Sequence, residues 1–71
     1  MDTVAERLGK NVRRLRRAKD IKQDAFAEAA GINRVYLSGI ERGIRNPTIN
    51  VIAKLAELLE VDVSRLFEAI S

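Results

Sequence analysis

The 71-residue sequence contains no cysteine, no histidine and no tryptophan, and it has one proline and three aromatic side chains. Without cysteine the chain can form neither a disulfide framework nor a thiolate metal site. Without histidine it lacks the usual general base and the commonest metal ligand of proteins. We therefore expect no metal, no cofactor and no enzyme activity, since the remaining carboxylates of the last third are scattered along helices.

Long hydrophobic runs are also missing. No stretch approaches the roughly 18 apolar residues that a membrane-spanning helix needs, and the first residues, MDTVAERLGKN, lack the apolar segment of a signal peptide. We expect a cytoplasmic protein with no membrane partner. The length predicts a single domain over residues 1–71. Such a small domain buries only about 60% of the surface that its unfolded chain exposes, so its stability margin is thin and self-association is plausible.

Charge is unevenly distributed along the chain. The formal net charge is +3, with +3 on residues 1–31, +2 on residues 32–46 and −2 on residues 47–71. A basic first part and an acidic last part are typical of a protein that turns one side toward a polyanion.

Apolar residues recur at helical spacing through most of the chain. In the first segment they fall at Val4, Leu8, Val12 and Leu15, although Gly9 weakens that helix. Leu37, Ile40 and Ile44 share one side of a later segment. The pattern predicts an all-α, compact fold with no strand and five helices, at about residues 3–18, 22–29, 33–42, 48–60 and 63–70.

The second and third predicted helices form a recognisable pair. Residues 21–43 read IKQDAFAEAAGINRVYLSGIERG, which is two short helices joined by a turn that contains a glycine. Gly31 is placed to make the turn, and Ala27 lies where the two helices would cross and only a small side chain fits. This spacing predicts a helix-turn-helix.

Three stretches together resemble the phage-repressor and Cro-like (XRE) helix-turn-helix family: LRRAKDIKQDAFAEAAGI at 15–32, SGIERGIRNPT at 38–48 and LAELLEVDVSRLF at 55–67. The segment NRVYLSGIERGIRNPT is most similar to the small controller proteins of restriction–modification operons. The resemblance implies a repressor-like domain that binds double-stranded DNA and regulates transcription, without a small-molecule ligand.

The resemblance also implies which residues contact DNA, because the second helix of the motif lies in the major groove. Arg34 has the geometry to read guanine, and Val35 can contact a thymine methyl group. Tyr36 offers a ring to thymine and a hydroxyl to a phosphate. The residues predicted to contact DNA are Lys22, Gln23, Asn33, Arg34, Val35, Tyr36, Ser38, Gly39, Arg45, Asn46 and Thr48.

Simpler interpretations remain open for several of these residues. Arg34 can be a solvated surface arginine, Gln23 a helix-start residue, and Asn46 with Pro47 an ordinary turn. Thr48 also suits the N-cap of the next helix. For Ser38 and Gly39, which weaken the helix, the hypothesis is that small side chains let it approach base edges closely.

Other charged residues are assigned to structure or to steering. Arg16 and Glu41 resemble a pair that forms a structural salt bridge in this family. Arg13, Arg14, Arg16 and Arg17 are expected to point in different directions around the first helix. Of these, Arg13, Arg14 and Arg17 are interpreted as surface charge that steers association.

The tail VDVSRLFEAIS has two interpretations. Leu66, Phe67 and Ile70 either cap the core or form a dimer contact. Since one small module contacts little DNA, we expect a homodimer on a pseudo-palindromic site, with half-sites about 34 Å apart. The alternative function is an antitoxin or bridging module on the same fold, whose partner is a protein.

Overall fold

The computed structural model describes residues 2–70. Within that range the chain is helical with no strand: α1 is Val4–Ala18, α2 is Gln23–Ala30, α3 is Arg34–Glu41, α4 is Ile49–Leu59, and a 3-10 helix spans Val63–Phe67. The all-α prediction is confirmed. The fifth predicted helix, 63–70, is instead a five-residue 3-10 turn, because the backbone is already extended at Glu68. So short a segment does not offset the cost of α-helix nucleation.

Side-chain caps fix where three of the four α-helices begin. Thr3 and Glu6 form a capping box at α1, the Asn33 side chain accepts from the Tyr36 N–H at 2.7 Å, and Thr48 accepts from the Val51 N–H at 3.2 Å. These side chains satisfy amides that have no partner inside their helix. The predicted helices that started one residue earlier had counted the cap as helix.

The turn between α2 and α3 depends on Gly31. Its φ is +74°, in the left-handed region that favours glycine, and the Ile32 N–H returns to the Ala27 carbonyl at 3.0 Å. Ala27 is 2% exposed. The turn therefore packs α3 against α2, with the small side chain of Ala27 buried in the core, and the crossing of the two helices at Ala27 stays a prediction.

The core collects one face from every helix. Its buried apolar residues are Leu8, Val12, Phe26, Ala27, Leu37, Ile40, Leu55, Ala56, Leu59 and Leu66. Ile44 does not join them, since it is 64% exposed. Its predicted place on the side of Leu37 and Ile40 extended helical spacing beyond the predicted helix 33–42, whereas α3 ends at Glu41 and the positive φ of Gly43 turns the chain away.

Helix α1 supports α3 through a close backbone approach at Gly9. A Cβ built on Gly9 would lie 2.3 Å from the Ile40 carbonyl oxygen and 2.7 Å from that of Glu41. Gly9 is thus required by packing. Among residues 2–70 no helix is long and apolar enough to cross a membrane.

Candidate nucleic-acid interface

Helix α3 has one face in the core and one face in solvent. Leu37 and Ile40 are completely buried, whereas Arg34 and Val35 are exposed and Ser38 is half-buried. Because the Asn33 cap starts the helix at Arg34, the exposed side chains come from its first turn and the turn that follows. The core thus holds the helix while its N-terminal residues point outward.

Two adjoining concavities run beside this exposed face. One, of about 250 Å³, is lined by Gln23, Arg34, Val35, Ser38 and Arg42. The other, of about 310 Å³, is lined by Arg13, Arg16, Gln23, Ser38, Glu41 and Arg42. Arginines from α1, α3 and the end of α3 therefore border one continuous groove at the start of α2.

The floor of this groove contains a buried ion pair. Arg16 donates from Nε to Glu41 Oε2 at 2.7 Å and from Nη2 to Oε1 at 3.0 Å, and its Nη1 binds the Ile21 carbonyl at 2.7 Å. Their side chains are 9% and 4% exposed. This pair was predicted from the family resemblance, and it ties α1 to the end of α3 with both charges matched.

Gln23 has a structural partner. Its Nε2 donates to Glu41 Oε1 at 3.2 Å, so the side chain links the start of α2 to the ion pair. It also lines both concavities, at the place where a phosphate contact was predicted. Lys22 lies beside it, exposed, as the N-cap of α2 without a side-chain capping bond.

Gly39 is not on the exposed face. It is buried, and the aliphatic chain of Arg45 lies over it, so a Cβ on Gly39 would stand 2.5 Å from Arg45 Cγ. The prediction that Gly39 lets the helix approach DNA is therefore corrected: the loop after α3 folds back and occupies that space. Arg45 itself is exposed along α3.

The remaining predicted contacts have mixed surroundings. Asn46 is exposed in the loop before α4, while Asn33 and Thr48 are exposed residues whose side chains cap helices. Tyr36 is half-buried and packs against the core. The fold brings most of the predicted set to α3, its flanking loop and the start of α2.

Two groove residues escaped prediction. Arg13 was assigned only to steering and Arg42 had no role, yet both line the 310 Å³ concavity. A signal was present, because Arg34, Ser38 and Arg42 follow one another at intervals of four, which places them on one helical stripe.

The predicted divergence of the α1 arginines is only partly present. Arg16 turns inward, but Arg13, Arg14 and Arg17 line a single surface depression together with Lys10 and so share the outer face of α1. Their spacing with Lys10 (i, i+3, i+4, i+7) is that of one face, which the sequence could have shown.

The residues predicted for the dimer contact are unequally available. Leu66 has 0% exposure and belongs to the core, so it offers no surface to a partner. Phe67 and Ile70 are half-buried. The segment is anchored by Asn11, a fully buried amide that sequence reasoning passed over and whose Nδ2 donates to the carbonyls of Leu66 and Glu68 at 2.9 Å each.

Comparison with known proteins agrees with this geometry. A helix-turn-helix family model, HTH_3, matches residues 12–66. The chain belongs to the helix-turn-helix family. Within this family, control protein C.MunI from Mycoplasma sp is 34% identical over 71 residues, covering 99% of this chain and 96% of that protein.

Solved helix-turn-helix structures share the fold at substantial identity. The restriction-modification controller protein C.AhdI from Aeromonas hydrophila superposes with a TM-score of 0.84 at 38% identity, covering 89% of this chain and 96% of that one. SinR, the master regulator for biofilm formation from Bacillus subtilis, was solved in complex with DNA. Its TM-score is 0.80 at 34% identity, covering 86% of this chain and 98% of that one.

Proposed function

We propose that this helix-turn-helix protein is a sequence-specific DNA-binding transcriptional regulator. The observation that carries the proposal is the exposed first turn of α3, with Arg34 and Val35 outward beside a groove lined by four arginines, Arg13, Arg16, Arg34 and Arg42. A helix held by its inner face and bare at its N-terminal outer face can enter a major groove. The SinR structure in complex with DNA supports the same use of the fold.

Within this proposal the roles divide by chemistry. Arg34 presents a guanidinium to guanine O6 and N7, and Val35 contacts a thymine methyl group. Arg45 lies along α3 and adds a second base contact. Lys22, Arg13 and Arg42 surround the start of α2, where they and its amide groups anchor phosphates and set the register.

We further propose that the protein binds as a homodimer to a pseudo-palindromic operator and, as a restriction–modification controller, regulates its own operon. The full-length match to C.MunI and the structural match to C.AhdI support this subtype. Phe67 and Ile70 form the dimer contact. A footprint on the DNA upstream of the gene tests the proposal: symmetric protection over two half-sites about 34 Å apart supports it, and none at low salt contradicts it.

The variant Arg34→Ala tests the reading role. We expect discrimination between the preferred duplex and a scrambled one to fall by about 5- to 150-fold, since a bidentate arginine–guanine contact is worth about 1–3 kcal/mol. Binding to the scrambled duplex should fall far less. Fluorescence anisotropy titrations with both duplexes measure the ratio.

Arg65→Ala is the matched control, because it removes one exposed positive charge from the 3-10 helix rather than from α3. It should lower affinity for both duplexes slightly and equally. If Arg34→Ala left the preference unchanged, Arg34 would not be the reading residue. A tight protein partner covering Arg34 and Arg45, with no preferred duplex, would instead identify an interaction module.

A further inference from the structure

The end of α3 returns the chain along its own surface. The Gly43 N–H donates to the Ile40 carbonyl and the Ile44 N–H donates to the Gly39 carbonyl, both at 3.0 Å, with Gly43 at φ +77°. This is a Schellman motif, which reverses the chain direction at a helix end. As a result Arg45, four residues beyond the last residue of α3, comes to lie beside the helix.

The side chain of Arg45 lies where Gly39 has no side chain. A Cβ on Gly39 would be 2.5 Å from Arg45 Cγ, 3.4 Å from Nε and 3.5 Å from Cδ. Gly39 is buried although Arg45 is exposed. The methylene chain of the arginine therefore packs against the bare backbone of α3, while its charged end remains in solvent.

We propose that Gly39 is the positioning residue for Arg45: by lacking a side chain it seats the arginine along α3 and directs its guanidinium to the DNA. The proposal rests on the proposed function, in which Arg45 contacts DNA. A seated arginine has fewer conformations to lose on binding than one that projects freely from a loop. Any side chain at position 39 would lift it from this seat.

A purely structural role for Gly39 predicts a different result from a positioning role. Alanine favours a helix interior more than glycine does. The atom in its way is Arg45 Cγ, which a rotation about the Cα–Cβ bond of the exposed Arg45 moves aside without a shift of the helix backbone. Gly39→Ala should therefore melt at the wild-type temperature or above. Specific DNA binding should fall nonetheless, so stability and binding change in opposite directions.

A double-mutant cycle tests the proposal. The probe is the duplex that wild-type protein enriches from a random-sequence library, and the proteins are wild type, Gly39→Ala, Arg45→Ala and the double variant. We expect Gly39→Ala to weaken binding about tenfold and to cost nothing further once Arg45 is alanine, as coupled residues do. Arg42, at the end of α3, is the control arginine. In the Arg42→Ala background, Gly39→Ala should still weaken DNA binding about tenfold.

A second measurement needs no DNA. Nuclear Overhauser contacts between the Arg45 side-chain protons and the Gly39 α-protons should be present in wild type, and the Arg45 contacts to α3 should be lost in Gly39→Ala. If these contacts were absent in wild type, the packing of the Arg45 side chain against Gly39 would be contradicted directly.

The outcomes separate this inference from the proposed function. Three results would overturn the positioning role alone. Gly39→Ala could weaken DNA binding equally when Arg45 is already alanine, it could leave DNA binding unchanged, or it could lower the melting temperature with a proportionate loss of binding. If Arg45→Ala bound normally while Arg34→Ala lost its preference, the inference would fail and the proposed function would stand. If wild type enriched no duplex, both would fail.

Discussion

Gly9 and Gly39 occupy two contacts of α3 that look alike and differ in what lies opposite. At the α1–α3 junction, a Cβ on Gly9 would stand 2.3 Å from a backbone carbonyl oxygen; at the loop contact, a Cβ on Gly39 would stand 2.5 Å from the side chain of Arg45. Backbone inside a helix cannot move without disturbing its hydrogen bonds, whereas an exposed arginine can rotate away. The first glycine therefore maintains the fold, and the second sets the direction of a surface charge.

The contact between α1 and the end of α3 has two further elements. The buried Arg16–Glu41 ion pair joins the same two helices, and Gly43 packs closely on Glu6, since a Cβ there would lie 2.8 Å from Glu6 Cγ. The loop contact at Gly39 has no buried ion pair among the described residues. Substitutions at the junction should thus change stability, while substitutions at the loop contact should change DNA recognition.

The largest expected effect is that of Glu41→Ala. It leaves the buried Arg16 guanidinium without its carboxylate partner, and breaking such a pair costs about 3–5 kcal/mol. Urea unfolding followed by circular dichroism measures the loss. The control is Glu57→Ala, whose carboxylate is 73% exposed and 4.0 Å from Lys54. That change should cost less than about 1 kcal/mol. Equal losses of unfolding free energy in the two variants would show that the Arg16–Glu41 ion pair does not stabilise the contact between α1 and α3.

The comparison itself is tested by giving each glycine the same methyl group. Gly9→Ala should lose about 1–3 kcal/mol of unfolding free energy, because the added carbon forces α1 away from α3. Gly39→Ala should gain up to about 1 kcal/mol from helix propensity. The melting temperatures of the two variants, measured in one buffer, test this difference. A shift in the same direction for both variants would contradict the distinction between a glycine that faces backbone and one that faces a side chain.

The smallest expected effect is on acid stability at the start of α1. The backbone N–H of Thr3 donates to the Glu6 carboxylate at 2.8 Å, and this bond, with the nearby Thr3 hydroxyl, lowers the pKa of Glu6 below its ordinary value. A lowered pKa in the folded state contributes stability above the usual glutamate pKa of about 4.3, and this is lost as pH falls through the lowered value.

Glu6→Gln separates that titration from the others, because glutamine also completes a capping box. The acid limb of its stability curve should be flatter than that of wild type. Glu60, whose pKa is lowered by Lys19, titrates in both proteins and cancels in the comparison. Asp2, whose pKa is lowered by Lys10, also titrates in both, and the charge of Glu6 acts on it directly. Parallel acid limbs would show that the capping box does not depend on the charge.

Much of the fold was predictable, because its determinants are local in sequence. Apolar spacing located the helices, and Asn33, Thr48 and Gly31 marked their ends and the turn through side-chain and backbone preferences of their own. The exposed position of Arg34 at the start of α3 agrees with the same spacing. Predictions were wrong where helical spacing was carried past the end of a helix: Ile44 does not share the side of Leu37 and Ile40, and the last segment formed a 3-10 helix.

The sequence by itself determined an all-α chain, a helix-turn-helix and an exposed arginine at the start of α3. Only the tertiary structure decided why its glycines and arginines are placed as they are. From the sequence, Gly9 was interpreted as a residue that weakens α1, whereas in the structure the backbone of α3 packs closely against it. Gly39 was interpreted as leaving room for DNA, whereas the side chain of Arg45 packs there. The group that packs against a helical glycine comes from another part of the chain, and only the tertiary structure shows which group it is. Helical periodicity describes only the helix to which the glycine belongs.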